Sequence, residues 1–430
     1  MTVFLGEKIK NLRHKKNLSQ VSLSNKMLSR PTLSKIETNK ILPSLEQLMY
    51  LADELEVPIS YFFSAKDINS HDCDIFNSID ELYQNKRYFD IINLYEDKHN
   101  NDQIICYYFL GMSYFNIDVF DFASKYLKKF ISLYKVEDEI IKSTYVEHIS
   151  IALNTLSKIL MRNKNYNKCL KYLFIADNYL KSYNSTHKKI YFIICNNIAS
   201  IYCILCRYAD SKNFLENFFM NNIDLYYISI ISDMYLSLNI SCFNLSEYEK
   251  AISYIKKSIF FYNLTDRNYD ELESYFNYVN SLRYLYKFEN AIALIDMVTL
   301  KAESFPEIIE MFKIQKFIIY YNSKNIKKLV EYYHCENLNL KLLRKKSLMD
   351  YYFICGCVEY YKSDYKKCHN YFLKCEQYLI KKDRFLDLSI IYDIFATILE
   401  AEEYTMKSMY YKNLFNSSNS SLSVNITLPD

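Results

Sequence analysis

Between about residue 72 and residue 415 one arrangement of apolar and polar positions recurs. An aromatic or other apolar anchor is followed three positions later by a small or apolar residue. Large apolar residues then stand four and seven further on, as in Phe120, Ala123, Leu127 and Phe130. That spacing puts one apolar stripe on a helix. The anchors are Tyr88, Phe120, Tyr166, Tyr208, Tyr248, Phe288, Ile326, Tyr365 and Tyr404. They are separated by 32, 46, 42, 40, 40, 38, 39 and 39 residues. Each follows an apolar stretch of about 12–16 residues that reads as another helix, such as ICYYFLGMSYF before Phe120. A helix pair repeated at a near-constant period is the signature of a solenoid, because no single pair can bury its own apolar face.

The unit resembles the tetratricopeptide repeat, helix A, turn, helix B. Its period exceeds the usual ~34 residues, as longer helices or loops would make it. The expected fold is all-α. It is a right-handed superhelix of about nine helix pairs over 72–415, whose first helices line a concave groove. Small residues at Ala123, Ala251 and Ala291 let the two helices of a pair approach. Gly111 and Gly356 fall at the small position of helix A in their repeats.

The first 65 residues follow a different pattern. Ser19 is placed to cap a helix burying Val21, Leu23 and Met27. After a break at Leu28-Ser29, Ser29 caps a second helix with Pro31 in its first turn. Leu33 and Ile36 face inward, leaving Arg30, Thr32, Ser34 and Lys35 outside. Two short helices with so small a break make a helix-turn-helix, whose second helix can enter a major groove.

This stretch, with LGEKIKNLRHKKNLSQ, LSKIE and ILPSLEQLMYLADELEVPISYFF, resembles the five-helix Xre-type domain of phage repressors. It is more closely similar to the PlcR/NprR/Rap group (RRNPP) of peptide-sensing regulators. The family usually has Gly where Asn39 stands, and Asn also tolerates the left-handed region. The resemblance implies a quorum-sensing transcription regulator that binds double-stranded DNA at a near-palindromic operator. It implies a homodimer, and a short signalling peptide in the groove that alters conformation or oligomer state. A bifunctional protein that also sequesters a phosphorelay response regulator, as NprR-type members do, is an alternative suited to nine repeats. A phage communication receptor controlling lysogeny has the same architecture, and a scaffold with a vestigial DNA-binding end is the reading from another class.

Charge agrees with a DNA-binding end. Residues 1–40 carry nine Lys/Arg against two acids, residues 41–65 four acids and no base, and the rest is balanced. A neutral body with one basic end points to phosphate binding there. Arg30, Thr32, Ser34 and Lys35 are the expected groove-facing residues, with Arg30 and Lys35 able to donate to guanine O6 and N7. The resemblance puts Gln20 at the position that holds the phosphate backbone. Lys40, just after the recognition helix, and Lys16 are further phosphate candidates. The motif's Glu37 is expected to sustain the fold by pairing with Arg13 or a backbone amide.

A groove of this kind suits an extended peptide, whose backbone N–H and C=O groups an Asn side chain can satisfy one of each. The inward polar residues of helix A are Asn154 and Lys158 in unit three and Asn196 and Asn197 in unit four. Units five and six add Asn239, Asn244, Asn277, Asn280 and Arg283. Asn197 and Asn277 share one repeat position. The bland alternative is a structural inter-helix hydrogen bond, and Asn is abundant in this chain. Arg283 or Lys158 could hold a ligand carboxylate.

Other features narrow the class. Three Gly and five Pro in 430 residues argue against β sandwiches and nucleotide folds. The seven His are dispersed and form no nucleophile motif, so no enzyme and no cofactor is expected. Cys203 and Cys206 form a C-x-x-C without a second pair, and the twelve cysteines read as reduced core residues rather than metal ligands. No stretch of 18 apolar residues occurs and the N-terminus is charged, so a cytoplasmic protein without a membrane segment is expected. The polar stretch 66–71 reads as a linker, and 416–430 as a disordered tail.

Overall fold

A computed structural model describes residues 5–25, 28–38, 40–57, 78–95, 104–183, 188–221 and 225–417. Among them every regular element is a helix. The chain divides into two units, Met1–Thr186 and His187–Asp430.

The first unit opens with helices Leu5–Lys15, Arg30–Glu37 and Leu45–Glu54. They close over a core that includes Ile9, Leu23, Leu28, Leu33, Ile36, Leu48, Leu51 and Leu55. The caps follow the sequence. Ser29 Oγ accepts from the Thr32 N–H, with Pro31 in the first turn. Ser44 and Gln47 form a reciprocal capping box. The helix expected after Ser19 is replaced by a turn among the described residues. Residues 20–23 make a turn, closed by Ser19 Oγ accepting from the Ser22 N–H at 3.0 Å. Leu23 is buried there, but Val21 is 62 % exposed rather than in the core. Two residues apart on a turn lie roughly 200° apart, so both cannot face one core. Met27, Asn39, the fifth helix and the 66–71 linker fall outside the described residues.

Nine helix pairs follow. The first joins 78–84 to Tyr88–Tyr95. Next come Ile104–Asn116 with Phe120–Tyr134 and Val146–Arg162 with Tyr166–Ser182. The second unit holds Lys188–Ile204 with Tyr208–Asn221, Ile228–Asn244 with Tyr248–Leu264, and Asn268–Tyr284 with Phe288–Lys301. It ends with Pro306–Asn322 and Ile326–Cys335, Lys345–Tyr361 and Tyr365–Lys381, and Phe385–Leu399 and Glu402–Ser417. Eight of the nine sequence anchors open the second helix of their pair, and Tyr404 sits two residues inside the last. The long interval between Phe120 and Tyr166 holds an extra helix, Glu139–Thr144, capped by Asp138.

Small residues hold the pairs close. Ala123, Ala251 and Ala291 are fully buried. A Cβ on Gly111 would stand 2.6 Å from Leu127 Cγ, and one on Gly356 would overlap the Phe372 ring. The turns carry a feature that composition hides. In all nine pairs the residue two before the second helix has positive φ, and none is glycine. These residues are Lys86, Asp118, Lys164, Cys206, Ser246, Tyr286, Lys324, Ser363 and Glu400. In eight of the nine, the next N–H bonds back to the carbonyl five residues earlier, as Asn165 does to Leu160 at 3.1 Å. That is a Schellman closure without the glycine that usually supplies it.

Two outcomes test this account by denaturant unfolding of the full chain. Gly111→Ala is expected to lower stability by about 1–3 kcal/mol, because Leu127 must move. Lys324→Gly, at an exposed left-handed position, is expected to raise it by about 0.5–1 kcal/mol by removing Cβ strain.

Candidate DNA-binding helix and groove

On the Arg30–Glu37 helix, Leu33, Ile36 and Glu37 are buried. Arg30 and Lys35 are exposed, and Thr32 and Ser34 half-buried. The Thr32 hydroxyl lies 2.8 Å from Ser29 Oγ, so it also serves the cap. Lys40 is exposed just beyond the helix. The helix is fixed by one buried ion pair. Arg13 donates to Glu37 through Nε at 2.6 Å and Nη2 at 2.9 Å, and through Nη1 to the Leu18 carbonyl at 2.9 Å. Gln20 Nε2 donates to the same carboxylate at 2.7 Å. Burial alone would raise the Glu37 pKa, but the hydrogen bonds from Arg13 and Gln20 outweigh it and hold it below the usual range. Gln20 thus ties the preceding turn to the recognition helix. Lys16 pairs with Glu56 at 2.6 Å.

In the second unit, successive first helices touch one another from Lys188–Ile204 through Lys345–Tyr361. These first helices form an inner row. Most buried polar atoms without a hydrogen-bond partner among the described residues lie on first helices. In the second unit all do, among them Asn196 Oδ1, Ser274 Oγ, Gln315 Oε1 and Arg283 Nε and Nη1.

The predicted residues divide by environment. Asn239 is 1 % exposed and donates to the Ala251 carbonyl at 2.9 Å, an inter-helix bond within its pair. Asn244 donates to the Ile240 carbonyl of its own helix. Asn154 is buried and Lys158 exposed, both in the first unit. Asn196 and Asn197 are half-buried. Asn277 lines a cavity of about 230 Å³ with Leu236, Asp270, Glu273, Ser274, Phe276, Met311 and Arg344. Asn280 accepts from Arg283 Nη2 at 3.2 Å. Arg283 itself is 7 % exposed; its guanidinium lies over the Tyr284 ring at 5.1 Å, and Nε and Nη1 have no hydrogen-bond partner. Burial pushes its pKa below the ordinary arginine value.

Sequence reasoning missed the ionic groups that join different repeats. Arg384 bridges Asp350 and Asp387, joining the last two pairs. Asp387 is fully buried, and burial pushes its pKa up to about 6 against the pull of Arg384. Arg344 reaches Glu273 at 2.6 Å and the Tyr269 hydroxyl at 3.2 Å. Its pairing with Glu273 raises its pKa. Arg384 and Asp350 are 34 positions apart and Arg344 and Tyr269 75, so no local pattern joins them, whereas Arg384 and Asp387 are only three apart. Cysteine placement is also more varied than expected. Cys206 and Cys335 are exposed and Cys203 is half-buried, while eight others are buried. Cys206 lies in a turn, as the left-handed residue of its pair. Among the described residues no helix is long and apolar enough to cross a membrane.

Glu37→Gln is expected to cost the N-terminal domain about 3–5 kcal/mol, since it strands a buried guanidinium. Because the Glu37 pKa is depressed, its contribution is present above the ordinary Glu value. It is lost as pH falls through the folded pKa. Unfolding followed against pH should show this acid-side loss in the parent and not in the variant.

Residues 9–62 match the helix-turn-helix family. No curated protein sequence matches the chain. Among solved structures, the apo form of RapI is similar with a TM-score of 0.56 and 12% identity, over 82% of this chain and 98% of that one. Aspartyl phosphate phosphatase F from Bacillus subtilis aligns at 15% identity and TM-score 0.45, over 88% of this chain and 94% of that one. Bacillus thuringiensis PlcR, solved with the peptide PapR7 and DNA, aligns at 19% identity and TM-score 0.39, over 63% of this chain and 98% of that one. The chain therefore joins a helix-turn-helix over residues 9–62 to a helical-repeat array with the fold of RapI.

Proposed function

We propose that the protein is a peptide-responsive transcription regulator. The observation that carries this reading is Arg283. Arg283 is 7 % exposed, and its buried Nε and Nη1, without a hydrogen-bond partner on an inner-row helix, are suited to a ligand carboxylate. Asn280 already orients it. Asn277, in the adjoining turn of the same helix, lines the cavity and is suited to a peptide backbone amide. Asn196 is the next contact in this reading, with an unpaired buried oxygen. Asn239 is the weakest of the set, because its amide is already spent on Ala251.

At the other end, Arg30 and Lys35 read base edges, with Thr32 and Ser34 beside them. Lys40 and Gln20 hold the phosphate backbone. Gln20 reaches DNA in this reading while still bracing Glu37, so its replacement weakens both. Peptide binding changes the conformation or oligomer state of the array and so the DNA affinity of a cytoplasmic homodimer on a near-palindromic site.

Arg30→Ala and Lys35→Ala are each expected to weaken operator binding by about 1–3 kcal/mol and to relax specificity. Equal loss on operator and random DNA would make them phosphate contacts instead. The reading as a whole is tested by binding of the purified protein to DNA upstream of its gene. Synthetic peptides encoded by small neighbouring reading frames are added or withheld. A peptide-dependent change in affinity that Arg283→Gln abolishes supports it. Tight DNA binding indifferent to every peptide would leave a regulator whose array serves a protein partner. Absence of sequence-specific binding would overturn it.

A further inference from the structure

The seventh pair departs from its neighbours. Its second helix, Ile326–Cys335, spans 10 residues, whereas the second helix of the following pair, Tyr365–Lys381, spans 17. The chain instead runs as a connector from Glu336 to Arg344, with one short turn at Leu340–Leu342. This connector is pinned to the Pro306–Asn322 helix. Lys313 holds Glu336 at 2.8 Å and the Asn337 carbonyl at 3.3 Å, and the Asn339 N–H donates to Glu310 at 3.0 Å. Its far end delivers Arg344 past that helix onto Glu273 and Tyr269 of the Asn268–Tyr284 helix.

Arg344 is the one cation among the residues lining the cavity. Without it the lining comprises two carboxylates, Asp270 and Glu273, an amide, and the apolar side chains of Leu236, Phe276 and Met311. The lining also includes the Ser274 hydroxyl, which is 2 % exposed and has no partner. Apolar side chains together with carboxylates suit a cation on an aliphatic stem, as the chain's own arginine shows. The hold on Arg344 is weak, since its side chain is 55% exposed and that of Glu273 38%. Asp270, by contrast, is also held by Arg267 at 2.8 Å.

We infer that Arg344 is an internal occupant of this cavity, and that the Glu336–Arg344 connector is a strap which a cationic ligand group displaces. The inference rests on the groove being a peptide site and adds its regulation. The incoming group is a guanidinium or ammonium, from a side chain or from a peptide amino terminus. Its entry exchanges one ion pair for another at Glu273. It also frees the tether between the sixth and eighth pairs, so ligand occupancy becomes a change in how those pairs are held.

The test uses the full chain, N-acetylargininamide as side-chain probe, glycinamide as amino-terminal probe, and uncharged N-acetylcitrullinamide as control. Hydrogen exchange is read over residues 336–344. At least one cationic probe is expected to speed exchange there, and the control is not; which one does so identifies the source. Arg344→Gln is expected to give fast exchange without probe and to tighten probe binding about three- to tenfold, since the competitor is gone. Glu273→Gln is expected to free the strap equally but to weaken probe binding. Unchanged exchange with both probes, or weaker probe binding in Arg344→Gln, overturns the inference. The peptide-dependent DNA assay is independent of this readout. If it succeeds while the strap does not move, the strap alone falls; if probes move the strap while no peptide alters DNA binding, the groove reading falls.

Discussion

Each helix pair closes only if the chain reverses within a few residues, and here that reversal runs through a left-handed residue that is never glycine. A non-glycine residue in this region costs about 1–2 kcal/mol. Nine pairs meet that cost with Lys, Asp, Cys, Ser, Tyr or Glu. The cost is tolerable because the turn lets the two helices of a pair pack against each other. Ala123, Ala251 and Ala291 then reach zero exposure. The inner row of first helices, and every polar atom on it, is positioned by these closures.

The repeat was legible because its signal is local and periodic. An anchor such as Tyr248 opens a helix, Ala251 follows one turn later, and Ile255 another turn on. Period and pairing both follow from such triplets. The left-handed turn was not legible, because its usual mark is glycine and this chain has three. A marker did exist in position rather than type, two residues before eight of the nine anchors. The helix-turn-helix was legible from its caps and its Leu33–Ile36 face, but Val21 was misplaced. A single turn is too short for the helical period to assign sides.

The candidate groove was half legible for a different reason. Asn277 and Arg283 were found by repeat position, which says which face a residue is on. It does not say whether a partner already holds the side chain. Asn239 and Asn277 look alike in sequence, yet one is bonded to the Ala251 carbonyl and the other lines a cavity. The groups that surround them come from distant repeats. Arg384 meets Asp350 from 34 positions away and Arg344 meets Tyr269 from 75. Superhelical packing brings them together, and no window along the chain contains both partners.

That long-range origin bears on how such an array can signal. In a solenoid each pair contacts chiefly its neighbours, so a disturbance in one pair spreads only stepwise. An ion pair that skips a repeat changes this, since the sixth and eighth pairs then move together. Arg344–Glu273 is such a link, and it is exposed enough to break readily. Arg384 with Asp350 and Asp387 is buried, and burial makes it far harder to open. If the weak bridge opens, the buried one keeps the last two pairs joined. A ligand acting there needs only to outcompete a solvent-screened contact, yet what it releases is a constraint between repeats that are not adjacent.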